Sequence, residues 1–151
     1  MKLIDIIDST PIPYGYRFSF LTNFFREPVL RKMEKEFGLI RPELTVLICL
    51  NSNQTCTSKD ICEITEQPSN TVSRAVGSLE KKGHISRTTD EMDARRSVLQ
   101  ITKSGTDLYH QVMALFAEGE ANLISCLSTK EQEQLNSILD KLCRAVPDWK
   151  K

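Results

Sequence analysis

Val72, Ala75, Val76 and Leu79 recur at i, i+3, i+4 and i+7, and Gly83 follows them, so the chain holds one clean buried helical face here and must then turn. Directly behind the turn, residues Ile85 to Thr88 and Ser97 to Ile101 read as two short strands, joined by the loop TDEMDARR with charges of both signs. That is a hairpin. Ahead of the helix, Thr57 is placed to cap a short helix, Ser58 to Thr65, expected to bury Ile61 and Ile64, and Pro68 suits the first turn of its successor. Further back, Pro42 to Leu50 carries Leu44, Val46, Leu47, Ile48 and Leu50, too apolar for a surface helix, and the polar run NSNQTC after it reads as a loop.

Helix, short helix, turn, helix and hairpin in this order predict a mainly α fold with a small β-hairpin wing, a winged helix-turn-helix over residues 39–102. The flanking segments, 1–38 and 103–151, read as a separate helical dimerisation region. Residues 14–25, YGYRFSFLTNFF, hold six of the ten aromatic side chains, in two stripes: Phe18, Leu21, Phe25 and Val29 on one side, Tyr16, Phe20 and Phe24 on another. A helix apolar on two sides must be buried twice, once in its own chain and once against a partner subunit or ligand. Pro28 is expected to kink this helix or end its first half, and Gly38 to close it. Thr102 caps a long helix with Leu108, Val112, Leu115, Phe116 and Leu123 at helical spacing. The capping box Ser128-x-x-Glu131 then opens a last helix expected to bury Leu135, Ile138, Leu139, Leu142 and Val146. One small winged domain cannot cover all these faces, so pairing with a second copy of the chain is the economical solution.

Twenty basic and twenty acidic side chains cancel over the chain's 151 residues, which excludes nucleic-acid binding by bulk positive charge. A local patch remains: residues 69–103 hold seven basic side chains (Arg74, Lys81, Lys82, Arg87, Arg95, Arg96, Lys103) against four acidic ones, a net of +3. The five cysteines are odd in number with no C-x-x-C pair, and His84 and His110 are the only histidines, so no zinc or other metal site is expected. Glycine-rich phosphate loops and the nucleophile elbow are missing from the sequence, so the chain does not read as an enzyme and no cofactor is expected. No apolar run is long enough to span a membrane, and Asp5 and Asp8 stand where a signal peptide would be positive. A soluble, cytoplasmic protein is expected.

The outward face of the helix at 69–81 presents Asn70, Ser73, Arg74, Gly77 and Lys81, polar, basic or small groups with nothing bulky among them. The run TVSRAVGSLEKKGHISRTTDEMDARRSVLQITKSG, residues 71–105, resembles the signature of the MarR family of transcriptional regulators: recognition helix, L-E-K-K-G, strand, D-x-R and a terminal I-T-x-x-G. The resemblance implies a cytoplasmic homodimer that binds double-stranded DNA at a pseudo-palindromic operator, often as a repressor released by a small ligand.

It further implies that Arg95 is the wing-tip arginine entering the minor groove, held by an ion pair with Asp93. Where the family commonly has a second basic residue this chain has Ala94, with Arg96 just beyond. On the recognition helix Arg74 has the fork to meet guanine O6 and N7, Asn70 can meet an adenine edge or a phosphate, and Ser69, Thr71 and Ser73 suit phosphates. Lys81 completes that face, while Gly77 serves either DNA or a close helix contact. In the family, aromatic acids bind beside the first helix, which here singles out Arg17 with Tyr16, Phe20 and Phe24 as walls. The other reading is that these rings are core and Arg17 pairs with a carboxylate across the dimer. Some relatives sense oxidants through a thiol. Here Cys49 and Cys62 fall among apolar positions, Cys56 in the polar loop reads as an exposed thiol, and Cys126 and Cys143 read as packed near the helical interface. The alternatives are thus a redox-sensing regulator of the same fold, or a winged-helix module that binds proteins rather than DNA.

Overall fold

The computed structural model describes residues 3–53, 55–93 and 97–149. A short helix α1 (Leu3–Ser9) leads into α2 (Pro13–Phe37), which Gly38 ends in the left-handed conformation at φ 61°, its N–H bonded to the Glu34 carbonyl. The expected break at Pro28 does not end the helix: α2 runs on through it. Val29 and Met33 lie buried just beyond the proline, and their burial offsets the missing backbone bond. Gly119 on the facing helix permits the close approach, since an added Cβ there would stand 3.0 Å from Val29 Cγ2.

Helix α3 (Arg41–Asn53) supplies the centre of the core with Leu44, Val46, Leu47 and Leu50. Its last turn takes in residues expected in a loop. Then comes β1 (Thr55–Cys56), a strand within that same expected loop. Thr57 and Asp60 form a reciprocal capping box for α4 (Ser58–Thr65), the Thr57 N–H donating to Asp60 Oδ2 at 2.8 Å and Thr57 Oγ1 accepting from the Asp60 N–H at 3.2 Å. Of the two isoleucines expected inside, Ile61 is fully buried. Ile64 is 60% exposed, because the two-turn helix packs along one narrow stripe and Ile64 stands at the rim of a surface cleft with Asn53 and Thr55.

Helix α5 (Ser69–Lys81) buries the four residues whose spacing identified it, and Gly83 makes the following turn at φ 78°. Strands β2 (Ile85–Thr89) and β3 (Ser97–Ile101) pair antiparallel as expected, with Ile85 opposite Ile101 and Thr89 opposite Ser97. The sheet has three strands in the order β1-β3-β2, Thr55 lying opposite Gln100 and Cys56 opposite Leu99.

Helix α6 (Lys103–Ile124) begins at a tight joint. Thr102 Oγ1 accepts from the Gly105 N–H and donates to the Gly83 carbonyl at 2.8 Å, and the Thr102 N–H donates to the His84 carbonyl at 3.0 Å. Gly105 is buried against that carbonyl. The far half of α6 packs on α2, where Phe25 meets Phe116 edge to face at 6.1 Å.

The Ser128 and Glu131 capping box opens α7 (Thr129–Arg144), which is followed by the short α8 (Val146–Trp149). The expected burial of α7 is not met within one chain: Leu135, Leu139 and Val146 are half-buried, while Ile138 and Leu142 are exposed, because none of the described elements covers that face. Cys143 on α7 and Cys126 in the turn before that helix, expected to pack near the helical interface, are exposed within the single chain.

Candidate nucleic-acid interface

The core fixes the rotation of α5. With Val72, Ala75, Val76 and Leu79 facing inward, Ser69, Asn70, Ser73, Arg74, Gly77 and Lys81 all lie exposed on the outer side, and Thr71 is half-buried at its edge. Asn70 Oδ1 accepts from the Thr71 N–H at 2.8 Å, which holds the side chain over the helix start. Arg74 and Lys81 have no ion-pair partner among the described residues, so their charges face solvent. Gly77 leaves open space where a Cβ would stand, so no neighbouring helix requires a glycine there.

Two further cations near α5 are engaged. Arg87 on β2 reaches Glu80 with two bonds of 3.4 Å, tying the wing to the helix. Lys82 meets Glu43 at 2.8 Å and the Gly38 carbonyl at 3.1 Å. Glu43 is the charged side chain buried in this core, 1% exposed, and its carboxylate also accepts from the Ile40 N–H at 2.9 Å and from Ser78 Oγ at 2.5 Å. Burial alone would raise its pKa, but the bonds from Lys82, Ser78 and the Ile40 N–H outweigh that, and the carboxyl titrates below its ordinary value. Sequence reasoning did not single out Glu43 or the pairing of Lys82, since a glutamate in a first helical turn looks like an ordinary dipole partner.

On the wing, the Met92 N–H donates to Asp90 Oδ1 at 2.8 Å, shaping the turn, and Asp93 is exposed behind it. Arg95 and Arg96 lie outside the described residues.

The residues expected around a ligand come together only in part. Arg17 is half exposed and donates to Asp8 at 3.3 Å and to the Pro13 carbonyl at 3.1 Å, both in its own chain. Tyr16, Phe20 and Phe24 run as one row, with ring centres 6.4 and then 4.6 Å apart. A cleft of about 410 Å³ opens between α2 and α6, and of the four only Phe24 lines it, together with Phe25, Pro28, Lys32, Glu118 and Leu123. Its cation is Lys32, 3.7 Å from Glu118.

Cys56, expected to be an exposed thiol, is buried, because its strand turns it into the core beside Leu99, its cross-strand partner. Burial first, then the neighbouring Cys49 and Asp60, pushes its pKa up to about 11, and burial raises Cys49 as well. Among the described residues no group of His, Cys, Asp and Glu is placed to hold a metal ion, and no helix is long and apolar enough to cross a membrane.

Comparison with known proteins agrees with this geometry. The sequence profile of the MarR family matches residues 37–96. An uncharacterised HTH-type transcriptional regulator of Bacillus subtilis, YxaD, is 31% identical over 130 residues, covering 85% of this chain and 91% of its own. The HTH-type transcriptional regulator BilQ of Clostridium symbiosum is 26% identical over 129 residues, 83% of this chain and 89% of that one. Among solved structures, the apo form of MarR from E. coli superposes with a TM-score of 0.77 at 18% identity, over 89% of this chain and 98% of its own. The S. aureus MepR–DNA complex gives 0.71 at 28% identity, over 88% and 97%. With its mainly helical architecture and three-stranded wing sheet, the chain therefore belongs to the MarR family of transcriptional regulators and carries that family's DNA-binding winged-helix fold.

Proposed function

We propose that the protein is a transcriptional repressor that acts as a homodimer in the cytoplasm, each copy laying α5 in the major groove of one half of a pseudo-palindromic operator. The observation that carries this reading is the outer face of α5, where Arg74 and Lys81 have no ion-pair partner among the described residues while the opposite face is committed to the core. MepR, a relative of the same fold, is known in complex with DNA. Arg74 reads guanine, Asn70 reads adenine or holds a phosphate, and Ser69, Thr71, Ser73 and Lys81 position the backbone. Arg95, aligned by Asp93, enters the minor groove with Arg96 beside it. Residues 39–102 form the reading head, and 1–38 with 103–151 the dimerisation region. The apolar face of α7 and the exposed Phe18, Leu21 and Phe24 of α2 supply the surface that a second copy covers. Bound over two turns of DNA, such a dimer represses by occlusion.

A small aromatic acid would release the repressor by entering the cleft between α2 and α6, where it would compete with Glu118 for Lys32, the cation of the lining, between the walls Phe24 and Phe25. Arg17, already bonded to Asp8, lies outside that cleft. The buried, raised thiol of Cys56 argues against redox sensing there. The test is binding to duplexes selected from source-genome fragments: Arg74→Ala is expected to lose about 1–3 kcal/mol and to relax specificity at one base pair per half-site. Equal weakening on every sequence would make Arg74 a phosphate contact, and no duplex binding at all would leave the protein-interaction reading.

A further inference from the structure

Glu43 and Lys82 do not touch the outer face of α5, yet they hold it. The Glu43 carboxylate takes three donors from three places in the chain: the Ile40 N–H at the entry to α3, Ser78 Oγ on α5, and Lys82 Nζ at the end of α5. Lys82 adds a bond to the carbonyl of Gly38, the residue that terminates α2. Ser78 is one helical turn beyond Arg74, so the grip lies beside the reading face and sets its rotation. The apolar stripe of α5 sets which side of the helix faces the core. The buried carboxylate adds directional bonds to that packing: moving α5 by a fraction of a turn strands a charge in the core.

We infer that Glu43, through Ser78 and Lys82, is the positioning residue of the reading helix, and that the Lys82 bond to Gly38 couples the end of α2 to the orientation of α5. This rests on the reading of α5 as the helix that meets DNA. A positioning residue acts on discrimination: with Glu43 neutralised, Arg74 reaches base edges less well, while phosphate contacts, which accept a range of poses, persist. Any movement of α2 that a partner or ligand causes at residue 38 would pass to α5 through the same lysine.

The experiment compares wild type, Glu43→Gln, Ser78→Ala, Lys82→Met and Lys82→Arg. Each is titrated with a duplex that the wild type has selected from a random pool, and with an unrelated duplex of equal length, over a range of salt concentrations. Glu43→Gln and Lys82→Met are expected to lower the ratio of selected to unrelated affinity by about tenfold, the equivalent of one charged hydrogen bond. The salt slope should stay unchanged, and Lys82→Arg should restore the ratio. Thermal melts by circular dichroism identify any variant that does not fold, and Ser78→Ala, which leaves the ion pair in place, then carries the test with a smaller loss of the ratio. If Lys82→Met lowers the salt slope by about one, Lys82 is a phosphate contact and the inference fails. If Arg74→Ala weakens binding but the folded Glu43, Ser78 and Lys82 variants discriminate as the wild type does, the positioning role alone is overturned. A wild type that prefers no duplex overturns both the reading of α5 and the inference built on it.

Discussion

Gly105→Ala perturbs the joint where α6 leaves the wing. The glycine is helical, so its backbone is available to alanine, and the objection is space alone. An added Cβ would overlap the His84 carbonyl oxygen and come within 2.8 Å of Ile101 Cγ1. The oxygen belongs to backbone that already accepts the Thr102 N–H at 3.0 Å, so relief requires the turn at residues 83–84 or the first turn of α6 to move. Overpacking of this kind costs about 1–3 kcal/mol, and breaking the Thr102 bond adds about 1 kcal/mol. A loss near 3 kcal/mol corresponds to roughly 6–12 °C in melting temperature for a chain of this length. The assay is thermal and urea unfolding at fixed protein concentration, which holds the contribution of the proposed self-association constant. Gly119→Ala serves as the comparison: its added Cβ meets only side chains, Val29 at 3.0 Å and Phe25 at 3.2 Å, which yield, so its loss should be smaller. If Gly105→Ala melts with the wild type, the joint is not tight and the reasoning is wrong.

Gly77→Ala should have the opposite sign on stability, gaining about 0.5–1 kcal/mol in an exposed helix interior, while weakening DNA binding if that face lies against the duplex; unfolding and operator titration read the two effects separately. Ile138→Lys with Leu142→Lys should convert a dimer into a monomer with its helical content intact, seen by sedimentation, whereas a wild type that sediments as a monomer removes the need for a partner on α7. A thiol reagent at pH 8 should leave Cys56 unmodified in the folded protein, its pKa of about 11 holding the thiolate to about one part in a thousand, and should label it only as the protein unfolds. Labelling of Cys56 at the rate of Cys126, followed by peptide mass spectrometry, would refute the burial argument.

The features that could be read from the sequence are local in the chain. The stripe from Val72 to Leu79 and the caps at Thr57, Thr102 and Ser128 depend on neighbours a few residues away, and each lies where its spacing placed it. Strand β1 was not legible because two residues have no period; it exists only because β3 offers an edge. For the same reason Cys56 read as solvent-facing when it is core. Glu43 gave no signal because its partners Ser78 and Lys82 are 35 and 39 residues away. Ile138 and Leu142 carry a helical period that the described residues of the single chain leave exposed.

The strand order has a consequence for how the protein is made. β3 is central, and both β1 and β2 pair with it, so neither has a sheet partner until residues 97–101 have been synthesised. Helices α4 and α5 lie inside the loop that Thr55 and Gln100 then clasp, a closure whose entropy must be met before its contacts form. α6 follows β3 after a single residue, so the strand that closes the winged head leads directly into the long helix that packs on α2. Until that strand is made, α4 and α5 have one another and α3 to pack on, and the wing sheet and the Thr102 joint then form from residues made next to each other.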